Sequence, residues 1–363
     1  MPIFEPNTFI FTTCQAGTEP ALKDEVKREH PELKFAFSRP GFVTFKGAIT
    51  GDFRSIFARA YGTSIARLAS QDGTLEEKAE WVAQWIADHA VPVTVHVWER
   101  EQYAPSEEPK DFEPGKWKRA AIQALSQALQ KRSLQIPINS PVSKGTILDV
   151  VTLEENEWFI GTHSAGLGHN PVPGGTPQIE LPPRAPSRAY LKLQEALLWS
   201  KAPLRPGDTA VEIGSAPGGA SYCLLEKGLN VVGIDPGKMD PEVLKFPTYS
   251  HIDQPVSAIL RTDLPKSVEW LLLDMNVAPS VALYAIDRLG TRMKDSLLGL
   301  FLTLKLSDWK KAKEIPSYLA HIQAMGMSLT RATHLPSNRQ EIFVYALTRK
   351  GVSRKSNQNT AAR

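Results

Sequence analysis

The sequence predicts an α/β chain in two parts. The first half is α+β, and the second is built on a mostly parallel sheet whose last strand runs antiparallel. Three observations predict this. From Thr209 onward, short β-branched and apolar runs alternate with helix-length segments, a rhythm that implies right-handed crossovers and a sheet covered on both faces. A run of Gly and Pro across residues 164–186 can neither hold a helix nor sit inside a sheet, and so reads as a linker. The last two apolar runs are separated only by a short turn, Pro336-Ser337-Asn338, too short for a parallel crossover.

In chain order, Thr8 to Thr13 reads as a strand and Glu19 to His30 as a helix. Lys34 to Phe37 and Gly41 to Phe45 read as a hairpin turning through Arg39-Pro40-Gly41. A helix is expected at Asp52 to Arg59, a strand at Thr63 to Ala69, and a helix from Leu75 to His89 with an apolar stripe of Trp81, Val82, Trp85 and Ile86. After a strand at Val93 to Trp98, the acidic, proline-rich stretch 101–118 reads as an exposed loop. Lys116 to Lys131 is then a helix, and Ile147 to Leu153 with Glu157 to His163 a hairpin.

Beyond the linker, Ser187 is placed to cap a helix running to Ser200. Strands follow at 209–214, 230–235, 248–252, 269–274, 298–305, 328–334 and 341–348, with helices at 218–227, 279–293 and 308–325. The domain reading is therefore 1–163, linker 164–186, and 187–348. Residues 349–363 hold five Lys or Arg and no acid, and are expected to be a disordered basic tail.

Composition narrows the function classes. The 363 residues are 42% hydrophobic and 22% charged, enough apolar matter for two cores. No apolar run approaches the roughly 20 residues of a membrane span, and the N-terminus lacks the basic-then-apolar pattern of a secretory signal. Cys14 and Cys223 are far apart, without ligand-spaced partners, so they read as buried thiols in a reducing compartment, the cytoplasm, and no metal site is expected. Residues 1–180 hold 18 Lys+Arg against 23 Asp+Glu, whereas 181–363 hold 24 against 16. A polyanionic partner would be held mainly by the second half.

The stretch with the most chemistry is Thr209-Ala210-Val211-Glu212-Ile213-Gly214-Ser215-Ala216-Pro217-Gly218-Gly219. It is a strand, an acid and a small-residue turn before a helix. Gly214, Gly218 and Gly219 let a ligand lie against the main chain, and the helix start offers free N–H groups. The spacing is neither G-x-G-x-x-G nor G-K-[ST], which suits a ligand without a pyrophosphate, such as S-adenosylmethionine, and argues against an oxidoreductase. In an open α/β sheet ligands lie beyond the carboxyl ends of the strands. Charged residues stand there in succession: Glu212, Asp235, Asp253, Asp274 and Lys305. Asp235 suits a pair of ribose hydroxyls and Asp253 an adenine amino group, while Glu212 and Asp274 suit an ammonium or sulfonium. Each acid alone is also explained as a cap of the following loop.

Together with Ser187-Arg188-Ala189-Tyr190-Leu191-Lys192-Leu193, Leu273-Asp274-Met275, Leu304-Lys305-Leu306 and Arg339-Gln340-Glu341, this turn resembles the motif set of the FtsJ-type RNA ribose 2′-O-methyltransferases. The resemblance covers about 187–348 and implies a Rossmann-like methyltransferase sheet. It also implies a catalytic tetrad at Lys192, Asp274, Lys305 and Glu341, with S-adenosylmethionine held by Ser187, Glu212, Gly214, Ala216, Pro217, Gly218, Gly219, Asp235, Asp253 and Asp274. A weaker likeness at Thr12 to Gly17 and Phe57 to Gly62 resembles a THUMP-containing RNA-binding region from about residue 50. That pairing implies 23S ribosomal RNA, at a cytidine ribose, as the substrate. Ala220, where the family often has Trp, and Val277-Ala278-Pro279 depart from the pattern. Within this reading Lys305 is the general base, with its pKa lowered by Lys192, the sulfonium and burial. Asp274 orients Lys305, and Glu341 pairs with Lys192. A base methyltransferase is disfavoured because no Pro-Pro-aromatic turn follows Asp274 to stack a flipped base. A catalytically silent RNA-binding protein is the remaining alternative.

Overall fold

The computed structural model describes residues 4–5, 8–48, 53–89, 92–105, 107–142, 144–165 and 172–361. Asp52, Arg363 and linker residues 166–171 lie outside them. The chain divides into two compact units, Met1–Pro177 and Gln178–Arg363, the dividing point falling inside the Gly/Pro-rich run.

The first unit contains β1 (Phe9–Thr13), α1 (Glu19–Glu29), β2 (Lys34–Arg39), β3 (Phe42–Lys46), β4 (Ala60–Leu68), α2 (Leu75–Asp88), β5 (Thr94–Glu99), α3 (Lys116–Lys131), β6 (Gly145–Glu154) and β7 (Glu157–Ala165). Its sheet has the order β2-β3-β1-β4-β7-β6-β5, antiparallel throughout except for the β5–β6 pair. Helix α2 starts where Thr74 and Glu77 satisfy each other's backbone N–H groups, a capping box. Val82 and Ile86 of its apolar stripe are fully buried with Val95, Val97, Leu148, Val150 and Ile160 of the sheet, and Trp81 and Trp85 pack at the margin.

The helix expected at Asp52 to Arg59 does not form; Phe53–Arg59 is irregular. Buried Glu25 explains this. It accepts hydrogen bonds from the backbone N–H of Ile56 (2.7 Å) and Phe57 (3.3 Å) and from the Ser55 hydroxyl (2.5 Å). These amides are satisfied by a side chain from a distant helix instead of by helical carbonyls.

The second unit holds α4 (Ala189–Ser200), β8 (Thr209–Ile213), α5 (Gly219–Glu226), β9 (Asn230–Ile234), α6 (Pro241–Leu244), β10 (Tyr249–Ile252), β11 (Trp270–Leu273), α7 (Pro279–Met293), β12 (Gly299–Lys305), α8 (Ile315–Ala324), β13 (Met327–Thr333), β14 (Glu341–Thr348) and α9 (Arg349–Ala361). Strands β10-β9-β8-β11-β12 are parallel, and β14 inserts antiparallel between β12 and β13. The central strands are buried on both faces, as the unbroken Trp270-Leu271-Leu272-Leu273 of β11 requires. The segment expected as one helix at 308–325 splits into a 3-10 turn, Trp309–Glu314, and α8, with Pro316 in the first turn of the latter. Ser187 is not itself the cap of α4: the helix begins after Arg188, and the Ser187 hydroxyl accepts from the Ala189 N–H at 3.3 Å.

The basic C-terminal segment is not a disordered tail. It forms α9, because its cations find acceptors and Val352 finds the core. Arg354 Nη2 donates to Asp208 Oδ1 at 2.9 Å, and the other oxygen of Asp208 accepts from the Trp270 indole N–H at 2.9 Å. Lys355 Nζ donates to the Ser200 carbonyl at 2.5 Å. Among the described residues no helix is long and apolar enough to cross a membrane. Because Arg354 and Asp208 are both largely buried, Arg354→Ala is expected to cost about 1–3 kcal/mol, read as a lowered thermal midpoint. A tail free of the fold would show no change.

Candidate active site

The site begins with backbone. β8 ends at Ile213, and Gly214 turns the chain at φ +81°, where a Cβ would stand 2.7 Å from the carbonyl oxygen of Asp274. Only glycine allows that approach, so the first turn after β8 lies directly against the end of β11. The Ala216–Pro217 peptide is cis. Gly219 opens α5, and a Cβ there would lie 2.3 Å from the Ser187 hydroxyl, so the entry of α4 is held against the same turn. Asp235, just past β9, accepts from the N–H of Ala216 (3.1 Å) and Gly237 (2.6 Å), which braces the loop from its other side. Asp253 lies just beyond β10 and is exposed.

Four charged side chains then converge from four elements. Lys192 comes from α4, Asp274 follows β11, Lys305 ends β12 and Glu341 begins β14. The β12–β14 register sets Lys305 directly opposite Glu341. Lys305 Nζ lies 2.5 Å from Glu341 Oε2 and 2.9 Å from Asp274 Oδ1. Lys192 Nζ donates to Glu341 Oε1 and lies 3.7 Å from Asp274 Oδ2. Two ammoniums and two carboxylates thus alternate around one point at the mouth of the sheet. Lys192, Glu212 and Asp274 also line a shared pocket with Phe301, Thr303 and Asn338.

Residues 185–302 match the family of FtsJ-like methyltransferases. The match includes Lys192, the glycine turn and Asp274 and stops just short of Lys305. Among curated proteins, the chain is similar to ribosomal RNA large subunit methyltransferase M of Xylella fastidiosa (strain 9a5c), 32% identical over 181 residues, 47% of this chain and 50% of that protein. It is also similar to the protein of that name from Marinobacter nauticus, 29% identical over 253 residues, 65% of this chain and 67% of that one. With the first of these, the chain spans about half the length of the curated relatives it matches.

Electrostatics at the ion-pair ring correct one expectation. Burial pushes the pKa of Lys305 down, but Asp274 and Glu341 outweigh it, so the pKa stands above the ordinary lysine value and the ammonium is favoured. The expected lowering rested on Lys192, the sulfonium and burial; the two carboxylates in direct contact, 2.9 Å and 2.5 Å away, outweigh burial. Glu341 moves the opposite way. Burial raises its pKa, yet Lys192 and Lys305 hold the carboxyl below its usual range.

Glu212 is fully enclosed, and burial pushes its pKa up to about 8. The charges of Asp274 and Asp235 add to the rise, and the Ser221 hydroxyl, which donates to Glu212 at 2.5 Å, opposes it. The carboxyl of Glu212 is therefore held apart from the ion-pair ring, bonded to α5.

Two positions escaped the sequence reading. Buried Asn338 donates from Nδ2 to Glu341 Oε1 at 3.1 Å, and its Oδ1 accepts from the Leu335 N–H at 2.9 Å. Glu195, one turn after Lys192 on α4, accepts from the N–H (2.9 Å) and hydroxyl (2.6 Å) of Ser337. Residues three apart share a helix face, so α4 grips the β13–β14 turn with Glu195 while Lys192 meets Glu341. The Lys192–Glu195 spacing was the available signal, but neither residue type is unusual on a helix.

A carboxyl whose folded pKa is raised carries its proton in the native state where the unfolded chain has lost it. Stability from Glu212 is therefore full below its unfolded pKa near 4.3 and is lost as pH rises toward 8. Glu212→Gln is expected to melt progressively higher than the parent as pH is raised from 5 to 8. A constant difference in thermal midpoint across that range would refute the assignment.

Proposed function

We propose that this chain transfers a methyl group from S-adenosylmethionine to a ribose 2′-hydroxyl of RNA, with a cytidine of 23S ribosomal RNA as the substrate. The reading rests on one observation: Lys192, Asp274, Lys305 and Glu341, far apart in sequence, meet as an alternating ion-pair ring beside the glycine turn. The names of the curated relatives support the ribosomal RNA substrate. The first unit, THUMP-like from about residue 50, is read as the RNA-binding region, and the cytoplasm as the compartment.

The turn fits the cofactor. At Gly214 a Cβ would fill the space beside the Asp274 carbonyl, and a cationic nucleoside without phosphates suits acids flanking bare backbone. Ser187, Gly214, Ala216, Pro217, Gly218 and Gly219 would form the cradle; Asp235 would take the ribose hydroxyls, Asp253 the adenine edge, and Glu212 and Asp274 the cationic end. When bound, the cofactor supplies an electrophilic methyl group and a positive charge.

The chain's own residues supply position and proton traffic. A ribose hydroxyl is a weak acid and needs a base in reach. Lys305, with one carboxylate on either side, is that base once it has lost its proton, and Asp274 fixes its direction. Glu341, held by Lys192 and Asn338, places the hydroxyl. Fixing the partners in this way is worth up to roughly 7–11 kcal/mol in well-oriented systems.

Two outcomes test the reading. Ribosomal RNA from cells carrying Lys305→Ala in place of the parent should lose one ribose methylation of the large subunit, while the purified variant binds S-adenosylmethionine within a few-fold of the parent. Retained methylation would remove Lys305 from the mechanism. Because the carboxylates hold Lys305 charged, the fraction competent as a base grows with pH. The single-turnover rate should climb about tenfold per unit through neutral and mildly alkaline pH, and a flat profile would exclude a lysine base.

A further inference from the structure

Away from that site, three neighbouring strands of the first unit bring together a set of side chains that the methyltransferase reading does not use. His96 of β5 and Asp149 of β6 are register partners across a parallel pair. Asp149 faces Gly161 across the antiparallel β6–β7 pair, and His163 lies two residues further along β7, on the same face. One donor atom from each of the three lies within 4.8 Å of the others. His96 and Asp149 are almost completely buried, and the His163 side chain is 6% exposed. The alternate residues Val95, Val97, Leu148, Val150 and Ile160 point to the opposite face, where α2 and α3 pack. The trio therefore sits on the far side of the sheet from these helices, beside Trp98.

We propose that His96, Asp149 and His163 form a binding site for a divalent transition metal ion of the zinc class. Two imidazoles and one carboxylate are a borderline nitrogen and oxygen donor set, suited to zinc, cobalt or nickel and ill-suited to magnesium or calcium, which take oxygen shells. The surroundings are those of ligands already oriented. His96 Nε2 faces the Ser140 carbonyl at 3.2 Å. A carbonyl accepts only, so Nε2 carries the hydrogen and Nδ1 carries the lone pair. His96 Nδ1 is buried and has no hydrogen-bond partner among the described residues. The Trp98 indole N–H donates to Asp149 Oδ1 at 3.1 Å and fixes the carboxylate. Outer contacts of this kind, an imidazole N–H on a carbonyl and a donor on the carboxylate, commonly orient metal ligands.

A purely structural role accounts for part of the cluster. His163 Nδ1 and Asp149 Oδ2 are 2.5 Å apart, a buried hydrogen-bonded pair. That pair leaves His96 Nδ1 unsatisfied, a loss native interiors rarely accept. An ion satisfies all three at once by taking the place of the hydrogen on His163 Nδ1; the neutral imidazole then carries its one hydrogen on Nε2, and only a second proton, if the ring was charged, passes to the solvent. Donors around a tetrahedral ion stand about 3.3 Å apart, from metal–ligand distances near 2.0–2.1 Å. His163 Nδ1 and Asp149 Oδ2 must therefore open by about 0.8 Å, and the donors furthest apart, within 4.8 Å, must close by up to about 1.5 Å. The ion would tie β5, β6 and β7 together, and its loss or capture would be felt in the first unit, independently of methyl transfer.

The experiment uses the untagged full chain, stripped with a chelator and titrated with zinc chloride by calorimetry and with cobalt chloride by visible absorption. One equivalent per chain with micromolar or tighter affinity is expected. The cobalt spectrum should show intense tetrahedral bands without a thiolate charge-transfer band, since Cys14 and Cys223 take no part. His96→Ala should weaken binding at least a hundredfold. Trp98→Phe keeps all three ligands and should weaken it about tenfold, and it serves if His96→Ala fails to fold by circular dichroism. Absence of zinc binding in the parent, unchanged affinity in the folded variants, or a thiolate band would each overturn the proposal.

Discussion

The second unit is organised by a single register. Inserting β14 antiparallel between β12 and β13 sets Glu341 directly opposite Lys305, and the carboxylate buried at that position is held by Lys305 on one side and by Lys192, reaching from α4, on the other. Buried charges are stable when paired and costly when one partner goes, typically by 3–5 kcal/mol. Each member of the ring therefore depends on the other elements staying in place. Helix α4 precedes the sheet in sequence, yet it is fixed by the last hairpin of the sheet.

Around the ring, the chain holds its acids in different electrical states. Glu341 and Glu212 are both buried, but Glu341 touches two ammoniums and ionises easily, whereas Glu212 touches a hydroxyl and senses two negative neighbours. The same residue type thus serves as an anion in one place and holds its proton to about pH 8 in another. The difference comes from their partners, since burial pushes both in the same direction.

Much of this was legible in the sequence because it is local. Strand lengths, the glycine turn and charged residues at strand ends are patterns of a few residues, and they located Asp274 and Lys305; Lys192 and Glu341 were legible only through the resemblance to a known motif set. What escaped was set by contacts between distant residues. Glu25 takes the amides of Ile56 and Phe57 and leaves 53–59 irregular, a fact no local propensity contains. The basic stretch after Thr348 folds because Asp208 and the Ser200 carbonyl happen to face it. The protonation of Lys305 was misjudged because the number of carboxylates in contact, two, is a property of the assembled site. Asn338 and Glu195 are ordinary polar residues until the turn between β13 and β14 is packed.

The separation of 149 residues between Lys192 and Glu341 has a bearing on synthesis. A growing polypeptide can build the glycine turn and five parallel strands before the carboxylate that joins the two lysines has been translated. Until then two ammoniums share one acid, Asp274, and α4 is held to the sheet by Tyr190, Leu193 and Ala196 without the ion pair to Glu341. The four-membered ring is completed only when the closing hairpin arrives, so its geometry belongs to the finished unit and to no shorter piece of it.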